Sequence, residues 1–313
     1  MIWITPTEKD ALTETLDERL WDSADQFRAN SSRKAQESSE GRPLGLLGNV
    51  PLALVLLMTC GSLRAADLPV RRQWALDGVE REALVYVPPQ ARASPTPILF
   101  AFHGHGGSMQ NAARMFSFHT RWPEAIVVYP QGLNTPGRLT DPEGRKPGWQ
   151  SAAGDQGDRD LKFFDAILAR LQQDYRVDPK RLYATGHSNG GGFTYLLWAT
   201  RGDRLAALAP SAAVLVRDFS KLRPKPVIHV AGEHDALVKY EWQQRMIEAL
   251  RKLNQCSDGQ PWDGEKGCTL HPSKIGAPVV TFIHRGTHAY PPAAPAIIVK
   301  FFKQHALSSA PTP

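Results

Sequence analysis

The sequence predicts an α/β protein, a mostly parallel central sheet flanked by helices in a single folded domain, and three observations carry that prediction. From residue 67 onward, short β-branched or aromatic runs alternate with amphipathic helical segments, the order expected of a sheet covered by helices. Several of the runs are apolar almost without interruption, as strands buried on both faces should be. Midway, a strand-like run meets a helix-like run across Gly186-His187-Ser188-Asn189-Gly190.

Taken in order, residues 1–43 are polar and charged with no apolar period, and they read as a disordered leader. Residues 44–66 combine the upstream charges Arg33, Lys34 and Arg42, a short apolar core and a small-residue exit, the pattern of a secretory signal peptide cleaved near Ala65 or Ala66. The leader is long for such a signal, so a start downstream of Met1 stays open. Two other readings also stay open: an uncleaved anchor, against which the run from 51 to 60 is short for a membrane span, and a lipidated Cys60, against which Met58 and Thr59 are poor flanks. Residues 67–313 form the expected folded domain.

Within that domain, strands are predicted over 81–87, 97–102, 125–129, 182–185, 206–209, 226–231 and 279–284. A helix over 160–175 places Leu161, Phe164, Ile167, Leu168 and Leu171 on one face, and a second does the same with Trp242, Met246, Ala249 and Leu253. Helices are also expected over 193–198 and 294–305.

The formal net charge of +6 rises to +8 without residues 1–66, which hold seven Lys/Arg and nine Asp/Glu. These charges are scattered and accompany no nucleic-acid motif, so nucleic acid is not an expected partner. After the leader only Cys256 and Cys268 remain, flanking a polar loop; an even pair in an exported chain predicts a disulfide. Two sulfurs with no suitably spaced histidines do not make a metal site.

Gly-x-Ser-x-Gly between strand and helix is the context of a nucleophile elbow, with Ser188 at its tip. A serine hydroxyl needs a base within hydrogen-bond reach, and the base needs a partner that fixes its tautomer. In this arrangement the acid and then the base follow the serine along the chain. Of the histidines beyond Ser188, His229 falls inside a strand, His234 in the turn after it and His271 near the cysteine loop. His288 lies in the loop after the last strand and is the preferred base, with His284 the competitor. Asp235 leaves the end of the strand at 226–231 and is the preferred acid, with Glu233 the competitor. The oxyanion donors are assigned to the backbone N–H groups of Asn189 and of His105, the latter within the Gly-rich His103-Gly104-His105-Gly106-Gly107. Two histidines so close could suggest a metal, but no third ligand follows at a fitting spacing.

These residues resemble the polyhydroxybutyrate depolymerase and feruloyl esterase group of α/β-hydrolases over roughly residues 81–302. The likeness is densest from Val177 through Gly191 and extends to Phe102-His103-Gly104 and to Gly232, Asp235, Val238 and Tyr240. It implies an exported serine esterase that works through an acyl-enzyme on small-molecule or oligomeric esters, without cofactor and without stable membrane association once the signal is removed. It also implies Ser188, Asp235 and His288 as the triad. Where the group commonly has Trp two residues after the catalytic histidine, this chain has Tyr290, which alters the pocket wall. No polymer-binding module follows the last helix, so avid attack on crystalline polymer is not expected. Trp149, in a Gly-Trp resembling that group's, is expected with Tyr240 and Tyr290 to line an aromatic acyl pocket. The alternatives are a prolyl-oligopeptidase-like peptidase, for which no gating domain is visible, and a binding protein that keeps the fold without the chemistry. Nothing in the sequence sets an oligomeric state.

Overall fold

Every residue of the run Thr96–Phe102 is buried, and its alternation divides the core. Ile98, Phe100 and Phe102 join one apolar cluster and Leu99 and Ala101 the other, as successive strand side chains must. The computed structural model describes residues 68–308. The expected leader, signal peptide and Cys60 lie outside the described residues.

The chain runs β1 (Val70–Leu76), β2 (Val79–Tyr86), β3 (Thr96–Phe102), α1 (Met109–Phe116), α2 (Phe118–Arg121) and β4 (Ile126–Pro130). A two-stranded ladder of β5 (Leu133–Asn134) and β6 (Pro147–Gly148) follows, then α3 (Arg159–Asp174), β7 (Val177–His187), α4 (Asn189–Arg201), β8 (Ala207–Ser211) and β9 (Val227–Gly232). It ends with α5 (Tyr240–Leu253), β10 (Gln260–Pro261), β11 (Cys268–His271), β12 (Val279–His284) and α6 (Ala294–Lys303). The main sheet has the order β1-β2-β4-β3-β7-β8-β9-β12-β11-β10. Its six central strands, from β4 to β12, are parallel, and an antiparallel pair closes each edge. Side chains of α3, α4 and α5 pack on one face, with Phe164, Phe193 and Met246 among them. Those of α1, α2 and α6 pack on the other, with Phe116, Phe118 and Phe302 among them.

All seven predicted strands and all four predicted helices are present, shifted at their ends by a few residues. The serine strand is the longest correction, running over Val177–His187. β1, β5, β6, β10, β11, α1 and α2 lie outside the predicted elements. β1 is a polar edge strand that is exposed or half-buried throughout, so its alternation carries little apolar signal. For α1 a signal existed: the Ser108 hydroxyl accepts from the Asn111 N–H as an N-cap, and Met109, Ala112, Ala113 and Phe116 fall on one buried face.

Candidate active site

The parallel strands end on one edge of the sheet, where open α/β proteins bind their ligands. Ser188 sits at the junction of β7 and α4 with φ 57° and ψ −122°, a backbone state costing roughly 1–3 kcal/mol for a non-glycine residue. The surroundings hold it there. The Ser188 N–H donates to the Ser211 carbonyl at 2.8 Å and the Gly192 N–H donates to the Ser188 carbonyl at 2.9 Å. The flanking glycines answer to close approach: a Cβ on Gly186 would lie 2.3 Å from the Gly190 carbonyl oxygen, and one on Gly190 would lie 2.3 Å from that of Phe102.

The structure brings Ser188, His288 and Asp235 together. His288 Nε2 is 2.8 Å from Ser188 Oγ, and His288 Nδ1 is 2.8 Å from Asp235 Oδ2. The two loops carrying base and acid are stitched to each other, because the Glu233 N–H donates to the His284 carbonyl at 2.8 Å and the His234 N–H to that of Gly286 at 3.0 Å. Glu233 is exposed, which removes it as competitor for the acid. His284 Nδ1 accepts from the Gly286 N–H at 3.0 Å and shapes the turn instead of reaching the serine. The Asp235 carboxylate is fully buried and Oδ1 accepts from the amides of Leu237 and Val238, each at 2.9 Å. Behind His288 lies His187, its ring centroid 5.0 Å away and its Nδ1 3.2 Å from Ser211 Oγ. Burial pushes the His187 pKa down to about 3, so this ring adds bulk without adding charge.

Next to the serine, the backbone amides of His105 and Asn189 have no protein acceptor among the described residues. The parts around them are rigidly held. Asn189 pairs with residue 149 as a strand would, its Oδ1 accepting from the Trp149 N–H at 2.7 Å and its Nδ2 donating to the Trp149 carbonyl at 3.0 Å. His105 Nε2 lies 3.0 Å from Asp141 Oδ2. A Cβ on Gly148 would lie 2.6 Å from His105 Nδ1, so glycine there lets the loop close over the ring.

Ser188 opens into a cleft walled by Leu139, Phe193, Val214, Val216, Val238 and Trp242. None of the three aromatic residues expected to line the cleft does so. Trp149 is 1 % exposed, wedged between Phe102 and Phe193, and its indole Nε1 donates to the His103 carbonyl at 2.8 Å. Tyr290 packs its ring on Phe116 and His187, and its hydroxyl is buried. Tyr240, half-buried at the start of α5, is not among the lining residues. Leu139, Val214, Val216 and Val238 sit in loops after strands, where no period marks them as cleft wall; Trp242 is buried on the apolar face of its helix as its period predicts, and it also walls the cleft. Among the described residues no group of three His, Cys, Asp or Glu side chains converges to hold a metal.

The expected disulfide is also corrected: Cys256 and Cys268 are free thiols. Cys256 lies opposite Ser273 and Cys268 begins β11, so five residues of extended chain, roughly 16 Å at strand rise, separate the two ends. A disulfide needs Cα atoms within about 7 Å. The thiols also pack into opposite apolar clusters.

No family model matches the chain. Among curated proteins, it is 29% identical over 186 residues to a bifunctional acetylxylan esterase/xylanase of Neocallimastix patriciarum, covering 57% of this chain but only 25% of that one. It is 26% identical over 270 residues to a probable feruloyl esterase C of Aspergillus flavus, covering 80% of this chain and 96% of that one. Among solved structures, a ferulic acid esterase superposes with a TM-score of 0.56 at 16% identity, covering 75% of this chain and 97% of the other. The acetyl xylan esterase from Aspergillus awamori gives 0.54 at 13% identity, covering 75% and 99%. The chain has the α/β-hydrolase fold.

Proposed function

We propose that this chain is a serine carboxylic-ester hydrolase acting through an acyl-enzyme on aryl or short-chain acyl esters. The observation that carries the reading is the unbroken relay from Ser188 Oγ through His288 to Asp235, both links at 2.8 Å, on a strained turn beside two unengaged amides. In the acylation step Ser188 Oγ bonds to the substrate carbonyl carbon while His288 Nε2 takes its proton. Negative charge then builds on the former carbonyl oxygen, which the N–H groups of Asn189 and His105 stabilise. His288 returns the proton to the leaving alcohol, and water repeats the sequence to release the acid. Asp235 holds Nδ1–H, which leaves Nε2 free to act as base. The relatives named acetylxylan and feruloyl esterases support ester hydrolysis. The apolar cleft supports an acyl group with a hydrophobic body.

Export belongs to the same proposal and rests on residues 44–66. The described residues hold no helix long and apolar enough to cross a membrane. The test is to label the protein with a fluorophosphonate and to compare p-nitrophenyl acetate, methyl ferulate and amorphous polyhydroxybutyrate as substrates. One label per chain, absent from Ser188→Ala, and turnover of at least one ester are the expected results. A wild-type chain that neither labels nor hydrolyses any ester overturns the reading in favour of a binding protein of the same fold.

A further inference from the structure

Behind Asp235 a line of buried polar side chains runs into the core. Gln243 on α5, His229 on β9 and Tyr195 on α4 are each 0 % exposed. Gln243 Nε2 is 3.1 Å from Asp235 Oδ2 and 2.7 Å from the Val238 carbonyl. Gln243 Oε1 is 3.2 Å from His229 Nε2, and His229 Nδ1 is 2.7 Å from the Tyr195 hydroxyl. Buried polar groups are rarely left unmatched, so the donors and acceptors can be worked out in turn.

The Val238 carbonyl can only accept, as can the carboxylate of Asp235. The end of Gln243 that faces both must therefore be its NH2 group, and its carbonyl faces His229. His229 then donates from Nε2 and accepts at Nδ1 from the Tyr195 O–H. This proton arrangement is the one that matches every donor to an acceptor, and all three side-chain donors point toward Asp235. It also agrees with burial, which lowers the His229 pKa to about 4 and keeps the imidazole neutral, and which raises that of Tyr195 so that the phenol keeps its proton.

Asp235 thereby accepts four hydrogen bonds: two amides on Oδ1, and Gln243 and His288 on Oδ2. A carboxylate held at four points cannot rotate. We propose that Gln243, oriented by His229 and Tyr195, is a positioning residue that locks the Asp235 carboxylate and through it the tautomer and angle of His288. The inference rests on the proposed hydrolase reading and adds to it a residue that never touches substrate. Gln243 is also one residue from Trp242, so a single turn of α5 both walls the cleft and braces the acid.

The sign of the pH effect follows. Loss of the Gln243 N–H takes a hydrogen bond away from the negative charge that faces His288, and the acid limb of kcat/KM moves upward. The other titratable groups facing Asp235 are His187 and His284, with Glu233 close to His284. Burial depresses the pKa of both histidines, to about 3 in His187.

The test uses Gln243→Met, which keeps the volume, with p-nitrophenyl acetate as substrate. The expected result is a fall in kcat of about ten- to hundredfold, as for other supporting-shell losses, with KM within about twofold and the acid limb shifted up. Should the methionine variant fail to fold, Gln243→Glu keeps the shape but sets an oxygen where the N–H donor was, and the limb should rise further. Variants that melt earlier yet keep wild-type kcat and the wild-type limb overturn the positioning role and leave Gln243 a packing residue. Fluorophosphonate labelling separates this from the larger reading. If wild type labels and Ser188→Ala does not, a silent Gln243 sinks this inference alone. If wild type does not label, the hydrolase reading falls and takes this inference with it.

Discussion

Two tryptophan-bearing segments flank the site; both tryptophans are buried in the core, and of the two only Trp242 also reaches the cleft. The segment at 147–150 lies in a Pro/Gly-rich loop after a strand, which looks like pocket wall, yet Trp149 is driven under α4 and fills the core between β3 and that helix. The segment at 237–243 leads into a regular amphipathic period, which looks like core; Val238 and Trp242 are indeed buried in the core cluster, yet with Leu237 they also wall the cleft. The difference lies in what holds each backbone. Residue 149 is tied on both sides by the Asn189 side chain, which leaves the indole no direction but inward. The start of α5 is anchored from below by Gln243, so the residue before it stands at the rim. Apolar side chains at this end of the sheet are sorted by the polar groups beneath them.

The largest effect expected is at the centre of the comparison, which both segments brace. Ser188→Ala and His288→Ala should each lower turnover by about a million-fold, and Asp235→Asn by roughly ten-thousandfold because it misorients the imidazole without removing it. His284→Ala should retain most activity. If instead His284→Ala abolishes turnover while His288→Ala leaves it, the loop after β12 carries the wrong histidine in this account.

Both segments also stand on neutral buried histidines, which predicts a shared weakness in acid. Burial lowers His103, under Trp149, to about 4, and His229, under Gln243, to about 4, with His187 between them at about 3. A histidine depressed in the fold contributes stability that is present above its unfolded value of about 6.5 and is lost as pH falls toward the folded value. Three such groups imply that unfolding free energy drops by roughly 4 kcal/mol per pH unit between about pH 6 and 4. Thermal melts across that range measure it directly. A flat Tm down to pH 4.5 would mean that water reaches these rings and that the two segments are not braced as described.

The tryptophans themselves provide the sharpest contrast. Trp149→Ala should destabilise the protein by about 3–5 kcal/mol, through the cavity left between Phe102 and Phe193 and the lost bond to the His103 carbonyl. Its substrate preference should survive at temperatures where it is folded. Trp242→Ala also leaves a cavity, since its ring is buried in the same cluster, but of the two it alone should lose about tenfold in kcat/KM on methyl ferulate and less on p-nitrophenyl acetate. Equal shifts in preference from both substitutions would erase the distinction between them.

The meeting of Ser188, His288 and Asp235 was legible in the sequence because backbone geometry restricts the serine turn to few residue types. Only glycine fits at 186 and 190, only a serine at the tip has the hydroxyl, and chain order narrows the base and acid to a handful of side chains. The cleft was not legible, since its walls come from loops whose direction is set by long-range polar ties. The Asn189 amide, the His105–Asp141 pair and the Arg81–Asp160 ion pair at 2.8 Å join residues far apart in the chain. A single sequence gives the polar members of such pairs without saying which meets which. Gln243 is such a case: it is a polar residue on the buried face of a helix, and that mismatch was the signal available.

The smallest effect concerns the edge of the sheet closed by β10 and β11. Cys256 and Cys268 are free, and burial raises both thiols, that of Cys268 to about 11, so each stays protonated and reacts slowly at neutral pH. Were they bridged, closing a loop of this size would contribute about 3 kcal/mol, and reduction would lower the Tm. With free thiols a reducing agent should leave the Tm unchanged, and Cys256→Ser should cost only about 1 kcal/mol, the loss of one partly buried apolar contact. Alkylation of the denatured, unreduced protein should modify both residues, and mapping the labelled peptides distinguishes them from Cys60. If peptide mapping finds Cys256 and Cys268 unlabelled until reduction, the β10–β11 hairpin must slide by several residues to bring them together.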